Sequence, residues 1–548
     1  MLFTKSFIKF VKRHVFIKRA VHLILVKVWT GPLLRRQLTI HEKPLHSQNL
    51  KKHRILVAMV ELQHYQFIQV LTIAKALQLR GAEIKVLICD QSLPGCEIKS
   101  SSNKHLKDPC WECKFNKANI FDKFGLDMIS YTDVINVTEQ KSINKLAQEY
   151  SKDPSKKILY KNFDLTRCVD DSITRYFYGG DAANSAEYWK IRGRHIETAI
   201  KNALSSQNID QDWKPDAVLC NMSAYSIWSP IYEHFRDRIK MVSALGFNHK
   251  AIAYNFNDII LSRDRFNQYY KSRDYSALTE QEKSQLELYF RKRFSGEDWL
   301  FKKDGFFNIS DEKSEIKDLK IDTKKRNIFL FSNLYWDTGL SDKTILFDDV
   351  ISWVLATIEM VKGEKNLHLY IKTHPAEKYS TVKSRKTVKN IIEQHYPKGI
   401  ENVTIIDPAR KIRPYSLFPF IDVAVLFQGT LGLELLKAGI PVISCAIASY
   451  NSLGFVHEPS TLSEYKKTLL SAGKIRFDEE LLEVFLYFFF MRAVAFPWEL
   501  SSSSRGNNIY HPLNIRSSED LKAGNSEKLD YLCDLILGDE KKLIPENW

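Results

Sequence analysis

The chain is sparing with the residues that break ordered structure, holding 21 glycines and 17 prolines in 548 residues against 44% hydrophobic and 12% aromatic residues. That balance excludes a disordered or low-complexity protein and supplies apolar surface for large cores. An uninterrupted membrane span is also lacking in the two most apolar stretches. Basic residues break residues 1–36 at short intervals, and no small-residue cleavage site follows an apolar core there, so the segment reads as neither signal peptide nor transmembrane helix. Leu481 to Phe496 is short and interrupted by Glu483 and Arg492, which makes it a buried helix. Acidic residues are absent from the first 36 positions, where Lys5, Lys9, Lys12, Arg13, Lys18 and Arg19 alternate with Phe3, Phe7, Phe10 and Phe16. This arm reads as an interfacial helix on an anionic membrane surface, with a solvated arm or a helix packed on the body as alternatives.

The whole chain carries 80 basic and 65 acidic residues, net +15, which implies an acidic partner. No nucleic acid is expected, because the excess sits on an apolar-rich terminal arm and not along an aromatic-studded groove. Cysteines number eight, and Cys89, Cys96, Cys110 and Cys113 fall within 25 residues. Four thiolates suit a tetrahedral metal, yet the spacing from Cys89 to Cys96 is not that of a knuckle and Cys89 ends an apolar strand. A structural metal, a disulfide and reduced thiols all stay open.

A chain this long predicts two domains with extensions. Residues 1–50 form the basic arm, and 51–254 a first domain. It opens with a strand at Arg54 to Val60, a helical run to Arg80 stopped by Gly81, and a strand at Ile84 to Cys89. Further strands are expected at Ala217 to Asn221 and Met241 to Leu245. Residues 255–325 are strongly charged and read as a solvated helical insertion and linker. Strands and helices alternate again over 326–480, and 481–548 looks helical and able to cross back onto the first domain. The expected fold class is α/β, two doubly wound domains facing one another.

Ligands of open α/β sheets bind at the carboxyl ends of the strands. In the first domain this points to Glu61 and His64 after the first strand, and to His249 after Met241 to Leu245. Asp210-Gln211-Asp212 superficially matches a metal-binding Asp-X-Asp pair, but no apolar strand precedes it and it reads as a polar loop. In the second domain, Lys372, His374 and Pro375 end the strand Leu367 to Lys372. About fifty residues later, Gln428-Gly429-Thr430 forms a turn between the strand Val423 to Phe427 and a short helical run. If the two strands are neighbours, Lys372 and His374 neutralise a phosphate that the helix's positive end also supports, with Arg413 as a third donor. Glu434, one turn into the helix, then suits ribose hydroxyls; an ion pair with Lys437 is its structural alternative.

Lys372-Thr373-His374-Pro375, followed by Gln428-Gly429-Thr430-Leu431-Gly432-Leu433-Glu434 and Gly439-Ile440-Pro441-Val442, resembles the donor-binding half of bacterial capsule polysaccharide glycosyltransferases of the GT-B fold. That group includes Kdo transferases and, more distantly, sialyl- and CDP-glycerol-polymerising enzymes. The resemblance covers roughly residues 325 to 450. It implies two Rossmann-like domains, and it places the nucleotide contacts on His374, Gly429, Thr430 and Glu434. A turn of Ser-Ser or Ser-Thr is usual there, whereas this chain has Gln428-Gly429-Thr430. The implied partners are a nucleotide-sugar donor, CMP- or CDP-linked, and a polysaccharide or lipid-linked acceptor. No resident cofactor or catalytic metal is implied, and a base from the first domain, Glu61 ahead of His64 and His249, takes the acceptor proton.

Overall fold

The computed structural model describes residues 53–538 except 62–65, 97–98, 100–107, 120, 154, 180–184, 221–222, 248–249, 256–262, 272, 274–276, 296, 298–311, 338–345, 380–382, 472, 474, 494–495 and 498–516. The basic arm, His64 and His249 therefore lie outside the described residues. No helix among those described is long and apolar enough to cross a membrane. The described residues fall into two compact units, the first within Met1–Val169, Trp189–Ile260 and Val494–Trp548 and the second within Asp170–Tyr188 and Leu261–Ala493.

Unit 1 is built on β1 (Arg54–Ala58), β2 (Glu83–Ile88), β3 (Asp127–Ser130), β4 (Ala217–Cys220), β5 (Lys240–Phe247) and β6 (Lys250–Asn255), with a two-residue strand, Phe496–Pro497, at its edge. The sheet runs β3-β2-β1-β4-β5-β6 and then Phe496–Pro497. The first five strands are parallel, and the last two pair antiparallel. Ile55 to Ala58 and the whole of β4 are buried, as strands covered on both faces must be. Helix α1 (Gln66–Leu79) joins β1 to β2 and ends at Gly81, whose φ of 97° admits glycine most easily.

The terminal helix Glu527–Leu537 returns to this unit, where Leu529, Leu532 and Ile536 share a core with Leu71 and Leu77. Arg80 holds it, pairing with Asp530 and donating to the Leu521 carbonyl at 2.6 Å. Helix α2 (Val137–Ser151) is started by an Asn136 capping box, and α3 (Ala186–Asp212) runs 27 residues. The aspartates expected in a polar loop are instead the last turn of α3; Asp210 accepts from Arg238 at 2.6 Å and contacts His234 at 3.2 Å.

Unit 2 holds β7 (Arg326–Phe331), β8 (Leu367–Lys372), β9 (Val403–Ile406), β10 (Val423–Leu426) and β11 (Val442–Ser444), all parallel, in the order β9-β8-β7-β10-β11. Counted along each unit's own strands, both sheets follow the 3-2-1-4-5 order of a doubly wound fold. The protein therefore contains two Rossmann-like units.

Three further helices matter for the site. They are α4 (Glu280–Ser295), α5 (Val388–His395) and α6 (Leu431–Lys437). Helix α4 belongs to the charged stretch expected as solvated linker, but it buries Leu286 and Phe290, and Phe290 stacks edge-on with Phe490. The stretch after Leu481 is divided: Glu479–Tyr487 and the π-helical turn Phe488–Ala493 pack into unit 2, not unit 1.

Candidate functional site

In unit 2 the strand order reverses between β7 and β10, so the crevice at the carboxyl ends of those strands is the expected ligand position. The shared phosphate site expected from the sequence depends on β8 and β10 being direct neighbours. They are not: β7 lies between them, and its own terminal loop joins the two candidate motifs. Ser332 donates its backbone N–H to the Lys372 carbonyl at 3.1 Å, and Asn333 Nδ2 donates to the Gln428 carbonyl at 3.2 Å. Lys372, Ser332, Asn333 and Gln428 thus form a continuous edge. Neither motif contains Ser332 or Asn333; the signal for them is a polar Ser-Asn pair ending an apolar strand.

This edge carries polar atoms without partners. Ser332 Oγ, Asn333 Oδ1 and Glu377 Oε2 are buried and have no hydrogen-bond partner among the described residues. Buried polar groups are satisfied in the great majority of cases, so three at one sheet edge mark a place where water or a ligand supplies the missing bonds. Gly429 adds an open approach. Its φ is 130°, and a Cβ there would meet nothing within 4 Å. Its carbonyl accepts the Tyr450 hydroxyl at 3.1 Å.

Tyr450 in turn lies against Gly432 so closely that a Cβ would fall on the phenol ring. Gly432→Ala is therefore expected to displace Tyr450, release its bond to Gly429 and cost about 1–3 kcal/mol of stability by overpacking. Thermal unfolding of the variant beside Gly432→Ala/Tyr450→Phe checks this. An unchanged midpoint in the single variant would show that the ring has room to move.

Lys372 is 3% exposed, and its ammonium donates to the Thr373 carbonyl at 3.3 Å. Burial lowers its pKa to about 8, with Asp407 and Glu377 acting against the drop. His374 Nδ1 accepts the Ala376 N–H at 3.2 Å, which leaves Nε2 as the protonated nitrogen of the neutral ring. Burial, helped by the Lys372 charge, takes its pKa down to about 4. The histidine is therefore neutral at pH 7, and Lys372 is the cation of the pair. His374 offers a hydrogen bond from Nε2. Glu377, fully buried, holds the Val388 N–H at the start of α5 at 3.0 Å through Oε1. Burial raises its pKa to about 7, the Val388 bond opposes the rise, and Asp407 adds to it.

Two expected donor contacts are already engaged. Arg413 pairs with Glu312 at 2.9 Å and donates to the Phe294 carbonyl at 3.2 Å, so its guanidinium is not presented to a phosphate. Glu434 is 2% exposed; it accepts from Arg293 at 2.9 Å and from the Tyr415 hydroxyl at 3.0 Å. Lys437 pairs with Glu287 and Glu483, not with Glu434. Arg293 and Glu312 come from the charged stretch between the sequence-predicted domains, and nothing in their local sequence marks them as partners of these residues. Thr430 is exposed and makes no side-chain cap, and α6 is only seven residues long, which weakens the helix-end contribution expected for a phosphate.

In unit 1, Glu61 stands just past β1, beside the β1–β4 reversal, and is 2% exposed. The expectation for His249 rested on a strand that ends before Gly246. Instead β5 continues through Phe247, which pairs with Lys250 of the antiparallel β6, so no parallel strand-to-helix edge exists there. Among the described residues no three His, Cys, Asp or Glu side chains group as metal ligands. Cys89, Cys96, Cys110 and Cys113 are free thiols that do not gather into such a group; burial raises the Cys89 pKa and drives that of Cys96 well up.

No known family profile and no curated protein sequence matches the chain. Among solved structures it is similar to the Thermosulfurimonas dismutans KpsC beta Kdo 2,4 transferase, at 13% identity over 50% of this chain and 79% of that one, TM-score 0.30. The beta Kdo 2,7 transferase of the same protein is 12% identical over 56% and 87%, TM-score 0.30. UDP-GlcNAc 2-epimerase from Neisseria meningitidis bound to UDP-GlcNAc is 11% identical over 80% and 94%, TM-score 0.25. Identities and TM-scores this low establish neither family nor function, and the two Rossmann-like units stand on the strand order of this chain itself.

Proposed function

We propose that the protein is a GT-B glycosyltransferase that uses a nucleotide-activated sugar, CMP- or CDP-linked, to extend a capsular or lipopolysaccharide-type polysaccharide or its lipid-linked precursor. The observation that carries this reading is the β7–β10 reversal in unit 2, edged by Lys372, His374, Asn333 and Gly429 and holding three buried polar atoms without partners among the described residues. In this reading Lys372 and His374 Nε2 stabilise the leaving phosphate as charge develops, and the open backbone at Gly429 and Thr430 lines its other side. Ser332 and Asn333 complete the nucleotide's hydrogen bonds. Glu61 takes the acceptor proton, and the basic residues before Arg36 hold the protein to the cytoplasmic face of an anionic membrane.

The test is a screen of CMP-, CDP-, UDP- and GDP-linked sugars and of CDP-glycerol for hydrolysis or transfer, with His374→Ala as the control. Loss of one such hydrogen bond to a developing charge is expected to lower turnover about 10²–10³-fold while the variant stays folded. Wild-type turnover in His374→Ala would remove the histidine from the site, and selective release of glycerol phosphate would change the reaction to alditol phosphate transfer.

A further inference from the structure

We propose that a groove between α2 and α3 in unit 1 binds an anionic saccharide. The groove encloses about 530 Å³, within the range of sites that take small organic ligands. One wall is a row of amides on successive turns of α2, Gln140, Asn144 and Gln148. The other belongs to α3 and presents Trp189, Lys190 and Arg194. Gly193 lies on the floor, where a Cβ would meet Ser151 at 3.5 Å, an ordinary contact.

The chemistry of the walls selects the ligand. Gln140 Nε2 donates to Asn144 Oδ1 at 2.7 Å and to Glu197 Oε1 at 3.4 Å, which orders the first two amides, while the Gln148 amide has no partner among the described residues. A row of carboxamides offers donors and acceptors at adjacent positions, which is what a ring bearing neighbouring hydroxyls needs. The Trp189 indole adds an apolar surface for a sugar face. Charge then narrows the class. Glu197, the only carboxylate among the described residues lining the groove, is neutralised by Lys201 at 2.8 Å. Lys190 and Arg194 have no ion pair or side-chain hydrogen bond among the described residues, and a guanidinium in that state is suited to a carboxylate or phosphate on the sugar. A single indole and two cations are too few for a nucleic-acid track, which stacks successive bases and neutralises successive phosphates. This site lies in unit 1 and is independent of the donor residues proposed in unit 2.

Calorimetric titration of the full-length protein without any nucleotide donor tests the proposal. The probes are a hexuronate tetrasaccharide, a sugar phosphate, a neutral glucan tetrasaccharide, inorganic phosphate and an oligothymidylate. A carboxylated or phosphorylated saccharide is expected to bind more tightly than the neutral one. Arg194→Gln should weaken that binding about tenfold or more, the scale of a lost charge-assisted hydrogen bond. Asn144→Trp, at an exposed position where folding is not at stake, should fill the groove and abolish binding. The proposal is overturned if the neutral glycan binds equally or no anionic saccharide binds at millimolar concentration. Equal binding of inorganic phosphate, tighter binding of the oligothymidylate, or unchanged affinity in both variants would overturn it as well. Because no donor is present, these outcomes are read separately from transferase activity.

Discussion

Arg293→Met is expected to destabilise unit 2 by about 3–5 kcal/mol, the scale of stranding one partner of a buried ion pair. Arg293 is 15% exposed at its side chain and Glu434 2%, with 2.9 Å between them. Burial alone would lower the arginine pKa, yet the facing Glu434 carboxylate outweighs it and the pKa rises. The pair therefore holds both charges firmly inside the fold. Removing the guanidinium takes away the cationic partner of Glu434 and keeps its bond from the Tyr415 hydroxyl. Glu434→Met should cost a similar amount, and Arg293→Met/Glu434→Met should recover most of the loss, since apolar side chains of like size often replace a buried pair without penalty. Urea unfolding of the three variants makes the comparison. A cost below about 1 kcal/mol in the single variants would mean that the pair is dispensable to the fold. Loss of donor binding by a fully stable Glu434→Met protein would restore the ribose contact expected from the sequence.

Glu377→Gln is expected to change how stability depends on pH. The Glu377 pKa is raised from 4.5 to about 7 in the folded protein, so between those values the native state holds a proton that the unfolded chain has released. The contribution of this group is fully present below pH 4.5, declines as pH rises, and is gone above about 7. Glutamine keeps a carbonyl for the Val388 N–H and cannot ionise. The stability of Glu377→Gln relative to wild type should therefore rise by about 2–3 kcal/mol between pH 4.5 and 7.5, because each tenfold change in proton affinity is worth about 1.36 kcal/mol. Other carboxylates titrate alike in both proteins and cancel in the difference. Denaturation curves at the two pH values read it, and a constant difference would show that Glu377 ionises as an ordinary carboxylate.

Both effects arise where the sequence is least informative. Several strands were legible as short apolar runs, while Asp127–Ser130 and Lys250–Asn255, which lack such a run or fall in a stretch with no strong period, were not. Leu367–Lys372 and Val403–Ile406 fall where the pattern puts them, and β10 and β11 flank the Gln428-Gly429-Thr430 turn as expected. Helix α5 also falls where the sequence puts a basic helix, near Val388 to His395, and the structure adds its Thr387 cap. Burial of Lys372 follows from its place at the end of such a strand. What failed was the meaning of charge. Residues 255–325 look solvated because their composition is polar, but two of them, Arg293 and Glu312, are paired inside unit 2. Charge patterning along a chain says how a segment behaves alone and does not reveal a partner more than a hundred residues away.

The sequence by itself determined two series of alternating strands and helices, the Lys372 to Pro375 and Gln428 to Glu434 motifs, and the positions where glycine is needed. Those are local properties, set by apolar periodicity and by backbone sterics at Gly81 and Gly429. Only the tertiary structure decided which strands adjoin. It inserted β7 between the two motifs, brought Asn333 against Gln428, engaged Arg413 and Glu434 with partners from the charged stretch, and left His374 neutral. Strand order, ion pairing and desolvation depend on residues far apart in sequence, and they exist only once the chain has folded around them.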